Sequence, residues 1–223
     1  MNRKKLVLFA VGLAILIITS GGVSLFILLG GNNDPSLDKI RIACVGDSIT
    51  VGTFYPDELW MLLGANYSVG NFGVGGSAVS IDSGKPYMKE NAFREAKAFQ
   101  PNIVVIMLGT NDAGPINAKG NESFVEDYVK LVGAFQALST KPKIYIVKPP
   151  PVFGNGTGLN PEYFADNVIP AIEEVAKQTN LPIINVYSAL TNSSNFFPDG
   201  VHPNAEGAKL IANEIYKALK ASF

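Results

Sequence analysis

The sequence predicts one α/β domain, a three-layer sandwich in which a parallel sheet of about five strands lies between helices. Short runs rich in β-branched residues alternate with segments of helical spacing, which is the pattern of parallel strands joined by helical crossovers. The run 103–108 contains no polar residue, as expected of a strand covered on both faces. The 223 residues are 47% hydrophobic and 17% charged, which suffices for one sizeable core and excludes intrinsic disorder.

The elements follow in order along the chain. The predicted strands are 40–45, 67–69, 103–108, 144–147 and 183–186, and the predicted helices are 57–63, 91–99, 123–139, 163–179 and 204–221. By analogy with flavodoxin-like sheets we predict the strand order 2-1-3-4-5. Such sheets bind ligands beyond the carboxyl ends of their strands, so the residues that follow each strand are the candidates for a site.

Composition excludes several classes of site. The chain has one cysteine, which excludes an internal disulfide framework and a cysteine-rich zinc site. It has one histidine, which excludes every site that needs two. The net charge of −1 favours no nucleic-acid partner.

The N-terminus predicts a membrane anchor. Residues 6–29 form a run of 24 without a charge, long enough as a helix (about 36 Å) to cross a bilayer. Arg3, Lys4 and Lys5 precede it, so residues 1–5 are expected in the cytoplasm and the domain outside. Residues 30–38 are polar and predict a linker, followed by a domain at 39–223. The alternative is a signal peptide cleaved near 19–22 and a secreted domain.

Three polar blocks follow the first three strands. Ser48, in Gly46-Asp47-Ser48-Ile49, stands at a strand-to-helix turn, where it is either an exposed nucleophile or a helix N-cap. The glycines of 71–77 let the backbone approach a ligand, although their spacing does not fit a dinucleotide site. Asn111, in Gly-Thr-Asn-Asp, supplies a carboxamide donor, or the block is only a turn.

A fourth block precedes the last predicted helix and contains the single histidine. Asp199 stands three residues before His202 and can accept its Nδ1–H, which leaves Nε2 as a base. A lone histidine beside a proline can equally be a structural or surface residue. Four such blocks in one chain favour a site, because a serine nucleophile needs both a base and donors for the oxyanion.

These blocks, in this order, resemble those of the GDSL or SGNH hydrolases, a family of esterases and lipases, over the whole domain from about residue 40. The resemblance implies that Ser48 is the nucleophile and that Asp199 and His202 complete a catalytic triad. It also implies an oxyanion hole formed by Ser48, Gly76 and Asn111, and an acyl-enzyme mechanism without metal or cofactor. The one departure is Ile49, where the family name has leucine.

The substrate is less defined by the sequence. Little chain is left for a lid, which favours short acyl groups, and the 71–76 block resembles that of acetylhydrolase-like members. We expect O-acetyl groups on a carbohydrate, with possible substrate contacts at Asp47, Tyr87 and Phe153. Both aromatic rings could instead pack their own loops. The alternatives are a lysophospholipase or short-chain lipid esterase and, in another class, a catalytically silent glycan-binding module.

Overall fold

The computed structural model describes residues 39–115, 121–154 and 157–221, together with two short strands near the N-terminus. The chain divides into two units, Met1–Asp38 and Lys39–Phe223. In the first unit, strand Ile17–Thr19 pairs with strand Gly22–Ser24 in an antiparallel two-stranded sheet.

The predicted membrane helix over 6–29 differs from the structure at these six positions, which are strand. Isoleucine, valine and threonine are β-branched and suit extended backbone, and glycine is a poor helix former. The rest of 6–29, the tip 1–5 and the linker 30–38 lie outside the described residues. Within the described part of the chain, no helix is long and apolar enough to cross a membrane.

The second unit contains a parallel five-stranded sheet. Its strands are β1 (Ile40–Gly46), β2 (Tyr67–Gly73), β3 (Ile103–Met107), β4 (Lys143–Lys148) and β5 (Ile183–Asn185). Their order is β2-β1-β3-β4-β5, and every neighbouring pair is parallel. The predicted fold class and strand order are confirmed.

Helices connect successive strands. The α-helices are α1 (Ser48–Gly52), α2 (Tyr55–Leu63), α3 (Asn91–Ala98), α4 (Asn121–Gln136), α5 (Pro161–Tyr163), α6 (Ile169–Thr179), α7 (Val186–Ala189) and α8 (Ala205–Lys220). Short 3₁₀-helices span Tyr87–Lys89, Thr110–Ala113 and Ser194–Phe196.

The sheet separates two hydrophobic cores. Side chains alternate along β1, so that Ala43 and Val45 lie in one core while Ile42 and Cys44 lie in the other. Helices α3, α4 and α6 cover the first core, and α2 and α8 cover the second. Every residue of β3 is buried, as its uninterrupted apolar run predicts. The result is the predicted three-layer arrangement.

The predicted helix 163–179 is divided in the structure. A π-helical turn, Phe164–Val168, separates α5 from α6. Pro170 lies at the start of α6, and a proline ring clashes with the carbonyl four residues earlier in a regular α-helix. The wider π-turn relieves this clash, which helical periodicity in the sequence does not show.

Candidate active site

Ser48 lies where the sheet meets its first helix. It follows the last residue of β1 by two positions and begins α1, while Asp47 caps that helix by accepting the Ile49 N–H at 2.9 Å. The end of β2 packs tightly against this turn. A Cβ at Gly73 would come within 2.8 Å of the Asp47 carbonyl oxygen, so only glycine permits the approach.

The structure brings Ser48, His202 and Asp199 into one hydrogen-bonded line. His202 Nε2 is 2.8 Å from Ser48 Oγ, and His202 Nδ1 is 2.6 Å from Asp199 Oδ2. With the Nδ1 proton donated to the carboxylate, Nε2 carries the lone pair that accepts the serine hydroxyl proton. Three residues predicted from two distant blocks are thus connected in the arrangement that activates a serine.

Asp199 is held by the backbone of its own loop. Its Oδ1 accepts the Val201 N–H at 2.9 Å and the His202 N–H at 2.7 Å. Slight burial raises the pKa of Asp199, but the hydrogen bonds from His202 and Val201 outweigh it and lower the pKa to about 2. The carboxylate therefore stays ionised beside the imidazole over the neutral pH range.

The glycine block after β2 forms a turn beside Ser48. The Ser77 N–H donates to the Val74 carbonyl at 3.1 Å, and Gly76 has a φ of 76°, which a non-glycine residue adopts only with strain. A Cβ on Gly75 would lie 4.0 Å from Ser48 Cβ. The turn therefore presents its backbone at the edge of the sheet where the serine hydroxyl lies.

Asn111 joins the third block to this turn. Its Nδ2 donates to the Ser77 carbonyl oxygen at 2.9 Å, so the carboxamide is oriented by the residue after Gly76. Asn111 belongs to the Thr110–Ala113 helix, which begins at the carboxyl end of β3. The structure thus places Gly76 and Asn111 on adjoining segments at the same sheet edge as Ser48.

Asp112 is a structural residue of the site that sequence reasoning missed. It is buried, and its two carboxylate oxygens accept the Val79 N–H, the Ser80 N–H and the Ser80 hydroxyl at 2.7 to 3.0 Å. It therefore fastens the segment that follows the Gly76 turn to the helix that carries Asn111. The signal was present in Gly-Thr-Asn-Asp, but a turn accounts for that block equally well.

Asp47 is also buried, and its carboxylate lacks a full set of hydrogen-bond partners. Its Oδ2 has no hydrogen-bond partner, nor does the neighbouring Thr110 hydroxyl. Burial raises the pKa of Asp47 to about 6, although the hydrogen bond from the Ile49 N–H opposes the shift. Because a raised pKa favours the protonated carboxyl in the folded state, Asp47 supports folding below pH 3.8, and that support is lost as the pH rises towards 6.

We therefore expect Asp47→Asn to change the pH dependence of stability. The amide keeps an acceptor for Ile49 N–H and can donate towards Thr110, so the variant should match the wild type near pH 4. At pH 7 it should be more stable by up to about 3 kcal/mol, the equivalent of two pKa units. Urea unfolding of unit Lys39–Phe223, which contains both cores and the whole sheet, measures this difference.

Asp199→Asn is the control of opposite sign, because the lowered pKa of Asp199 stabilises the folded state above pH 3.8 and this contribution is lost as the pH falls towards 2. At pH 7 the two substitutions should therefore change stability in opposite directions, Asp47→Asn upwards and Asp199→Asn downwards. Equal stability of Asp47→Asn and the wild type at pH 7 would show that the Asp47 charge carries no burial cost.

The three predicted substrate contacts differ in their exposure to solvent. Asp47 is 1% exposed and Tyr87 is 0% exposed, so neither is accessible to a substrate, and these two predictions are wrong. Tyr87 packs against Phe93 in the core and donates its hydroxyl proton to the Phe72 carbonyl oxygen at 2.7 Å. Its loop folds inward, a choice that local sequence does not reveal.

Phe153 is only partly buried. Its ring stacks at 5.0 Å on Phe197, and its N–H donates to the Gly200 carbonyl, next to Asp199. It therefore stays a candidate contact beside the triad. Across the described ranges, no group of three or more histidine, cysteine, aspartate or glutamate side chains is placed to hold a metal ion.

Comparison with known proteins gives a consistent result. An acetylxylan esterase from Xylanibacter ruminicola is 36% identical over 83% of this chain and 44% of its own length. The GDSL esterase/lipase CPRD49 from Arabidopsis thaliana is 24% identical over 59% of each chain. The chain spans about half the length of the curated relatives it matches.

Solved structures share the fold. Est24, a carbohydrate acetylesterase from Sinorhizobium meliloti, superimposes with a TM-score of 0.69 at 20% identity, over 83% of this chain and 100% of that one. The lipase/acylhydrolase from Enterococcus faecalis gives a TM-score of 0.65 at 23% identity, over 82% and 96%. At these identities the likeness is one of fold alone.

The sequence profile of one family covers most of the second unit. It matches residues 44–210, a range that includes all four polar blocks. On this match, the chain belongs to the GDSL-like lipase/acylhydrolase family.

Proposed function

We propose that this chain is a serine esterase that removes acetyl groups from carbohydrate through an acyl-enzyme on Ser48. The main supporting observation is the hydrogen-bonded series of Ser48, His202 and Asp199. His202 Nε2 is 2.8 Å from Ser48 Oγ, and His202 Nδ1 is 2.6 Å from Asp199 Oδ2. His202 Nε2 takes the hydroxyl proton as Ser48 Oγ attacks the ester carbonyl. The same proton then passes to the leaving alcohol, and water attacks the acyl-enzyme with His202 again as base.

The developing oxyanion needs donors that are already in place. We assign these to the backbone N–H groups of Ser48 and Gly76 and to the Asn111 carboxamide. The hydrogen bond from Asn111 to Ser77 and the clamp formed by Asp112 support this assignment, because they hold both segments in position without the substrate.

A short acyl group suits the open site. The side chains of His202 and Asp199 are 42% and 47% exposed, so the triad lies at the surface rather than at the end of a deep tunnel. A cavity of about 570 Å³ adjoins the Asn111 helix and is lined by Leu159, Asn160 and Tyr163. Its volume and its tyrosine ring suit the sugar of an acetylated glycan. The acetylxylan esterase relative is in keeping with this substrate class.

The proposal includes a membrane tether. The 24-residue apolar run at 6–29 and the basic residues before it favour an anchor with the domain outside the cytoplasm. The strands Ile17–Thr19 and Gly22–Ser24 do not support a continuous helix there, so the tether is proposed from the apolar length and the charges of the sequence alone. Cleavage near 19–22 would instead release a secreted enzyme.

A chain-length series of p-nitrophenyl esters tests the acyl specificity. We expect turnover to be highest for acetate and to fall beyond butyrate, because the exposed triad offers a longer chain little apolar enclosure. Release of acetate from acetylated xylan, compared with release of fatty acid from lysophospholipid, tests the alcohol part.

The lipid esterase and the silent glycan-binding module each predict a different experimental outcome. An optimum near octanoate, or activity on lysophospholipid alone, would establish a lipid esterase. Failure of Ser48 to react with a fluorophosphonate probe, combined with glycan binding, would establish a silent binding module. The control is Ser194→Ala, which removes an exposed hydroxyl away from the triad and should retain full labelling and turnover.

A further inference from the structure

Exposed apolar side chains are concentrated on one helix. Among the described residues, seven large hydrophobic side chains are exposed, and five of them lie within 51–62. Phe54 is 72% exposed, Met61 60% and Trp60 48%, and Leu62 is also exposed. We call Phe54, Trp60, Met61 and Leu62 the α2 apolar patch.

The patch is not the usual surface of a helix. Helix α2 already buries Tyr55 and Leu59 in the core, and the opposite side of a surface helix ordinarily carries polar residues. Phe54 immediately precedes α2, and Trp60, Met61 and Leu62 lie in its last turn. The apolar side chains of the patch therefore do not serve the core of the domain.

The backbone at the start of the patch is strained. Phe54 has a φ of 60°, in the left-handed region, which is costly for a bulky residue. Its ring is nonetheless the most exposed large hydrophobic side chain that the structure describes. Core packing does not account for this combination, whereas a contact outside the domain would.

Trp60 of the patch lies close to the first residue of the second unit. Trp60 lines a groove of about 330 Å³ together with Lys39 and Tyr67, and Lys39 is the first residue of the second unit. Only the nine residues 30–38 separate Lys39 from the apolar run at 6–29. Fully extended, they reach about 30 Å.

We propose that the α2 apolar patch rests on the lipid bilayer to which residues 6–29 tether the chain. This inference depends on the tether in the proposed function and not on the esterase activity. Tryptophan and other large apolar side chains favour the membrane–water interface. The tether keeps the domain near the lipid, so a small patch is enough to orient it. Four side chains cover much less than the roughly 800 Å² per partner of a stable protein interface, which disfavours a second copy.

Trp60 is the only tryptophan in the sequence, so its fluorescence reports on the patch without a label. The full-length chain is reconstituted in phosphatidylcholine vesicles with or without bromine on the acyl chains, and vesicle flotation verifies attachment. We expect the Trp60 emission to fall by about half in the brominated vesicles, because bromine quenches only an indole that reaches the lipid. The double variant Met61→Glu, Leu62→Glu should float equally well and lose most of the quenching.

The control is Ile183→Glu, which places a single glutamate at an exposed apolar position on β5, the sheet edge farthest from β2. It should leave the quenching unchanged. If the protein floats with the vesicles but its Trp60 emission is equal with and without bromine, the contact between the patch and the lipid is excluded and the tether is retained. A chain that does not float would overturn both. Emission that shifts with protein concentration and not with bromine would indicate self-association instead. Hydrolysis of p-nitrophenyl acetate, measured on the same samples, reports on the esterase separately.

Discussion

Ser48→Ala and His202→Ala are each expected to lower kcat on p-nitrophenyl acetate by at least about 1,000-fold. Ser48 Oγ lies 2.8 Å from His202 Nε2, and His202 is the only histidine in the chain. Without the hydroxyl no acyl-enzyme forms, and without the imidazole the hydroxyl keeps its proton. Loss of turnover measures both effects, and urea unfolding of the same variants separates them from a general failure to fold.

The double variant sharpens this test. Residues that act as one unit give non-additive losses, so Ser48→Ala combined with His202→Ala should be no slower than either single variant. Neither substitution removes a buried contact of the cores, and both variants should unfold in urea near the wild-type midpoint. Near-normal turnover by either single variant would exclude the assigned mechanism.

Asn111→Ala is expected to lower kcat by about 100- to 1,000-fold, with KM little changed. The carboxamide is assigned to the oxyanion, which exists only in the transition state and the tetrahedral intermediate, so its loss should spare substrate binding. The assay is the pair of kcat and KM on p-nitrophenyl acetate at pH 7.

The bond from Asn111 to Ser77 calls for a stability control, since its loss alone costs about 1 kcal/mol. Asn102→Ala removes a side-chain to backbone bond that also joins distant segments, from the Arg41 N–H to its Oδ1 at 2.8 Å, at the end of the sheet opposite the site. It should lose a similar amount of stability but keep wild-type kcat. A decrease of only a few fold in Asn111→Ala, or one confined to KM, would remove Asn111 from the oxyanion hole.

Much of the fold was predictable because its signals are local. The buried run at 103–108 and the alternation of strand and helix require only that neighbouring side chains share a solvent environment. The π-turn at Phe164–Val168 was not predictable, because it depends on how one proline is accommodated within a longer helical pattern. At 17–24, an apolar run suited equally to helix and strand has strands where a helix was expected.

The residues of the site also divide into those that the sequence could identify and those that it could not. Ser48, Asn111 and His202 could be selected because each follows a strand or precedes a helix, and ligands of such sheets bind at that edge. Asp112 and Tyr87 could not be placed. Asp112 binds two successive backbone N–H groups that are 32 and 33 residues away in sequence. The side chain of Tyr87 is buried in the core.

By itself, the sequence determined the class of fold and the four blocks that carry polar chemistry, because these depend on periodicity and on position along the chain. The order of the strands was predicted by analogy with flavodoxin-like sheets. Only the tertiary structure decided that Ser48 and His202, 154 residues apart, meet at 2.8 Å. It alone also decided that Asp47 is buried without a full set of partners while Phe54 is exposed. Contacts and burial of this kind depend on how the loops close over the sheet edge, and that is fixed by packing between distant segments.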